Sequence, residues 1–178
     1  MFTINSLAKG YNSALQNNSH EDKNILGNML IMRIIQKPSE VLELEDVYEV
    51  GNALFSICND SKSPESKKSN NYVIGLLICF YSLNKSYLKN PNDIRSKRNL
   101  NMICTANSNT LIKWFEIGAM IKYEIKEPII KGSKYYFLYE KINFLEQLLI
   151  KGIFVDDESC KEFCEIINIG IVKILNNS

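Results

Sequence analysis

A mainly α-helical chain with one small β-hairpin is the fold class this sequence predicts, and three observations carry it. Apolar residues recur at helical spacing through most of the 178 residues. Prolines and short polar runs cut the chain into helix-length pieces. One stretch, from Ile121 to Tyr139, instead holds two β-rich runs around a proline and a glycine. The expected layout is an acidic helical region over 1–58, a polar linker over 59–71, a unit resembling a winged helix-turn-helix over 72–156, and a C-terminal helix over 157–178.

Residues 3–17 place Ile4, Leu7, Tyr11, Ala14 and Leu15 on one helical face. A second helix is expected from about Glu21 to Gln36 with Ile25, Met29, Met32 and Ile35 inward. Pro38 ends it, because a proline disfavours helix in the residue before it. Val47, Val50, Leu54 and Ile57 predict a third helix over Leu44–Cys58. The segment Asn59–Asn71 is polar, contains Pro64 and lacks an apolar anchor, so it reads as a loop. Tyr72 to about Leu88 is apolar all round and predicts a central helix.

Pro91 and Asn92 break that helix. A short helix to Cys104, a turn at Thr105-Ala106-Asn107 and a helix to about Met120 follow, capped by Asn107 or Ser108. Ile121–Lys126 and Lys134–Tyr139 read as the two strands of a hairpin turning through Glu127-Pro128 and Lys131-Gly132-Ser133. Two closing helices are expected over about 140–151 and 157–175.

The net charge of +1 conceals a partition. Residues 1–60 carry 4 Lys/Arg against 8 Asp/Glu, residues 61–141 carry 14 against 6, and residues 142–178 carry 3 against 6. A basic centre favours phosphate, since each phosphate neutralised releases counterions. Lys62, Lys67 and Lys68 in the linker supply part of that excess. The richness in Asn and in Lys over Arg, 18 against 3, follows AT-rich codons and carries less meaning.

In a helix-turn-helix the first helix and the turn bury apolar residues against the second. Leu100, Ala106, Leu111 and Trp114 hold those places. Asn107, Ser108, Asn109 and Lys113 are then left facing outward at the second helix's start, where base edges and phosphates would lie. Lys131, Lys134 and Tyr135 would sit on the wing, within reach of phosphate. Trp114 and Phe115 read as core.

The run Asn109-Thr110-Leu111-Ile112-Lys113-Trp114-Phe115-Glu116-Ile117-Gly118-Ala119-Met120 resembles the recognition helix of the MerR family of regulators. Gly132-Ser133-Lys134-Tyr135-Tyr136 resembles that family's wing strand, and Ile142, Leu145, Leu148 and Gly152 its closing helices. The similarity spans about 98–174. It implies DNA binding through a winged helix and carries no inducer site with it.

Other chemistries find little footing. His20 is the only histidine and lies in a polar stretch. Its neighbours Glu21 and Asp22 suit a helix N-terminus better than the orientation of a general base. No phosphate loop, nucleophile elbow or zincin motif is present. Asp156, Asp157 and Glu158 read as helix-opening acids. The five cysteines lack a C-x-x-C pair, and Cys160 with Cys164, one turn apart, lack a second pair of metal ligands. Reduced core thiols in a cytoplasmic protein is the plain expectation. The longest apolar run, Tyr72–Tyr81, is about half of the roughly 20 residues a bilayer requires.

The expectation is therefore no enzyme, no cofactor and no membrane. The leading function is a transcriptional regulator or accessory factor on duplex DNA, as a homodimer. The alternative is a helical adaptor or immunity-like protein that binds another protein through residues 1–58. Phe163, Ile167, Ile171 and Ile174 form a stripe on the last helix, suited to a dimer seam or to the chain's own core.

Overall fold

The computed structural model describes residues 2–60, 70–126, 136–152 and 158–177. These fall into two compact units, which divide between Asn90 and Pro91.

The first unit holds α1 (Ile4–Gln16), α2 (His20–Gln36), a short 3-10 helix (Pro38–Glu43), α3 (Tyr48–Asn59) and α4 (Asn70–Lys89). Thr3 and Ser6 start α1 with a reciprocal capping box, each hydroxyl accepting the other's backbone N–H at 3.0 and 2.9 Å. Asn18, in the left-handed region at φ 55°, ends α1. Ser19 N–H then reaches back to the Ala14 carbonyl at 2.9 Å, closing a Schellman turn. The principal contacts run α1–α2, α2–α4, α4–α3 and α3–α1, so the four helices pack in that cyclic order. Asn12 ties α1 to α3, donating to the Glu49 carbonyl at 3.1 Å and to its carboxylate at 2.6 Å. α4 therefore belongs with the preceding helices, whereas the sequence reading grouped it with those that follow.

α2 corrects the sequence reading. Its buried residues are Gly27, Leu30 and Ile34, while Ile25 and Met32 are 51% and 63% exposed. Two apolar stripes compete on this helix, and the one that carries glycine is buried. Gly10 and Gly27 let α1 and α2 approach closely: a Cβ on Gly27 would lie 3.2 Å from the Tyr11 ring, and one on Gly10 would lie 3.2 Å from Leu26. Small residues permit that approach; of the bulkier stripe, Ile25 and Met32 are left outside, and Met29 and Ile35 are half-buried.

The second unit holds α5 (Ile94–Ala106), α6 (Ser108–Lys122), α7 (Tyr136–Lys151) and α8 (Glu158–Asn176). Asp93 caps α5, accepting from Arg95 N–H at 3.1 Å and Ser96 N–H at 3.4 Å. α6 packs most extensively on α8 and also on α7. Phe115 and Phe163 meet edge to face across the α6–α8 contact, with ring centroids 5.3 Å apart. Phe163, Ile167 and Ile171 are buried, so that stripe of α8 serves the core and not a dimer seam.

The expected β-hairpin and wing are overturned. No strand occurs among the described residues. Ile121 and Lys122 finish α6, and Glu124 then adopts the left-handed conformation at φ 54°. Ile125 N–H reaches the Met120 carbonyl at 2.8 Å and Glu124 N–H the Ile121 carbonyl at 3.2 Å. That is a Schellman turn with buried Ile125 as its apolar anchor. Tyr136–Tyr139, expected in a strand, form the first turn of α7. Leu138, Leu145, Leu148 and Leu149 give this segment helical burial that outweighs the β preference of its aromatics. The remainder of the expected hairpin, 127–135, lies outside the described residues.

Candidate functional site

The helix pair expected to read DNA exists as α5 and α6, joined at the single residue Asn107. The Asn107 side chain turns back, donating Nδ2–H to the Ile103 carbonyl at 3.0 Å, and so does not cap α6. Leu100, Leu111 and Trp114 are buried as a helix-turn-helix requires, but Ala106 is exposed. Asn109 and Lys113 face outward, and Ser108 and Asn107 are half-buried. Glu116, also exposed, follows Lys113 one turn later on the same face, so the outward stripe of α6 carries one cation and one anion. Lys131, Lys134 and Tyr135 lie outside the described residues.

Charge divides almost evenly between the units: residues 1–90 carry 9 Lys/Arg against 9 Asp/Glu. Residues 91–177 carry 12 Lys/Arg against 11 Asp/Glu, and the basic centre seen in sequence is split between units at Asn90. Within the second unit, residues 91–126 carry 6 cations against 3 anions. Arg95 and Arg98, two of the three arginines, are exposed on α5. This is a mild positive bias on the helix pair.

A second surface lies on α2, and the sequence reading missed it by turning it inward. Ile25 and Met32 are exposed and Met29 between them is half-buried, giving an apolar stripe about two turns long. The signal available in sequence was the competing Gly27–Leu30–Ile34 stripe. Beside it, a cavity of about 440 Å³ opens between α1, α2 and the end of α3, with Tyr11, Asn28, Ile31 and Ile57 among its lining residues. Lys23 and Asp60 stand 3.8 Å apart at this cavity. Burial, with the nearby negative charge of Asp60 adding to it, pushes the Tyr11 hydroxyl up to about 12.

α7 exposes aromatics as well. Phe137 and Phe144, two turns apart, are 46% and 52% exposed. Phe137 meets Tyr123 edge to face at 5.9 Å, and Phe144 lies 6.2 Å from the Phe163 ring. Lys141, between them on the helix, donates to the Glu162 carboxylate at 3.0 Å. That hydrogen bond is the main reason its ammonium is held above its ordinary value.

All five cysteines are thiols outside any disulfide. Burial raises Cys104 and Cys164 well above the ordinary thiol range, and the neighbouring Cys160 adds to both shifts. Such groups resist ionisation, which suits packing and opposes nucleophilic or metal-binding use. Among the described residues no group of three or more His, Cys, Asp or Glu side chains is placed to hold a metal ion. No helix among them is long and apolar enough to cross a membrane. His20 is exposed at the start of α2.

No protein-family model matches this chain, and neither the curated proteins nor the solved structures include a significant match.

Proposed function

We propose that this chain is a non-enzymatic helical adaptor that binds another protein, with the outward stripe of α2 as its contact face. The observation that carries the reading is the exposure of Ile25 and Met32 on a helix whose opposite stripe already fills the core. Methionine and large aliphatic side chains in a contiguous row are costly to leave in water, and Met in particular adapts to a partner's surface. The stripe lies within residues 1–58, where the adaptor reading expects its partner. Five thiols without disulfides support a reducing compartment, the cytoplasm.

A second reading, DNA binding through α5 and α6, is favoured by the bias toward cations over 91–126 and by outward Asn109 and Lys113. It is weaker because Glu116 shares the face of Lys113 and because the whole second unit is nearly neutral.

Fluorescence anisotropy with random duplex DNA separates the two. The adaptor reading predicts no salt-sensitive binding. Affinity that falls about tenfold or more between roughly 50 and 200 mM salt would establish several phosphate contacts and replace it. In parallel, Ile25→Lys with Met32→Lys is expected to abolish co-purification of a stoichiometric partner while the circular dichroism spectrum stays unchanged.

A further inference from the structure

The outward face of α8 bears a charge pattern that complements itself. Glu165 and Lys173 are both exposed and eight residues apart, roughly 12 Å along the helix, with Ile169 at their midpoint. Ile169 and Val172 form the apolar part of a groove of about 390 Å³, completed by Ile121 at the end of α6. Ile121 is 42% exposed. Glu165 and Lys173 stand at this groove, and the opposite face of α8 is spent on the core.

We infer that this face is a homodimer seam, in which α8 of one copy packs antiparallel on α8 of another about a two-fold axis at Ile169. In that arrangement the Glu165 carboxylate of each copy meets the Lys173 ammonium of the other, because both lie four residues from the axis. A two-fold interface must be self-complementary, and this pair meets that condition twice with one acid and one base. Parallel packing would set like charges together. Ile169 meets its own copy at the centre, and Ile121 and Val172 flank it. The seam lies on α8 of the second unit and the adaptor stripe on α2 of the first, so such a dimer carries two α2 stripes.

The test is sedimentation velocity of the full chain over a wide concentration range, at low and high salt. The expected result is a monomer–dimer equilibrium. Glu165→Lys alone and Lys173→Glu alone are each expected to weaken it by about tenfold or more through like-charge contact. The double reversal, Glu165→Lys with Lys173→Glu, should restore it. Both positions are exposed, so circular dichroism of all three variants is expected to match the parent chain. A chain that stays monomeric at every concentration overturns the inference. So does a dimer that is indifferent to the single reversals, or one that the double reversal fails to rescue.

Discussion

Gly118 of α6 and Gly170 of α8 stand against each other with no room for a side chain on either. A Cβ on Gly118 would run into the Ile166 carbonyl, and one on Gly170 into the Trp114 carbonyl. The two helices therefore touch backbone to backbone, which brings Phe115 of α6 onto Phe163 of α8. This contact organises the second unit.

Replacing either glycine with alanine should accordingly cost about 3 kcal/mol, since the obstacle is backbone and cannot rotate away. Gly75 in α4 is the control. A Cβ there would meet Cys58 Sγ at 3.6 Å and Ile31 at 3.8 Å, both ordinary contacts. Gly75→Ala should be neutral or stabilising by up to about 1 kcal/mol, from helix propensity. Urea denaturation of the three variants measures the contrast.

The register of α2 is open to the same kind of test. Leu30→Ala and Ile34→Ala, at fully buried positions, should each cost about 2–5 kcal/mol. Ile25→Lys and Met32→Lys, at exposed positions, should each change stability by less than about 0.5 kcal/mol. The opposite ranking would restore the register in which Ile25 and Met32 point inward.

Alkali should destabilise the first unit. Burial pushes the Cys58 thiol up to about 12 from its ordinary 9.0, and the Tyr11 hydroxyl up to about 12 from 10.0. Both are neutral when protonated, and the fold favours that form. Their contribution is complete below the unfolded-state values and is lost as pH rises from about 9 toward 12. Stability measured in urea should be level from pH 7 to 9 and fall beyond it, and Cys58→Val should flatten the first part of that decline. A level profile to pH 11 would contradict the assignment.

Much of the helical framework is legible in the residues. Ile4, Leu7, Tyr11 and Ala14 announce α1, and all four are buried, whereas Leu15, expected on the same face, is exposed. Pro38 and Pro91 mark real ends, because they remove a donor and restrict the residue before them. The C-terminus of α6 is not legible. Its Schellman turn puts Glu124, not glycine, in the left-handed region, and nothing local announces that. The β-like composition of Tyr136–Tyr139 misleads because its helical pattern is completed only downstream, by Leu145, Leu148 and Leu149. α2 misleads for a different reason. Two apolar stripes run along it, and choosing between them requires knowing that Gly10 and Gly27 let α1 come close. The same ambiguity hid the surface now proposed for partner binding. Of the residues expected to read DNA, Asn107, Ser108, Asn109 and Lys113 fall at the α5–α6 pair, with little net charge on α6, and Lys131, Lys134 and Tyr135 lie outside the described residues.

The measurement closest to the central claim is in-cell cross-linking from a photoreactive amino acid placed at Asn28, an exposed position between Ile25 and Met32. The adaptor account predicts one protein adduct of defined mass, lost when Ile25→Lys and Met32→Lys are added and absent when the probe sits at Lys113. No adduct at Asn28, or an adduct indifferent to those two substitutions, would contradict it.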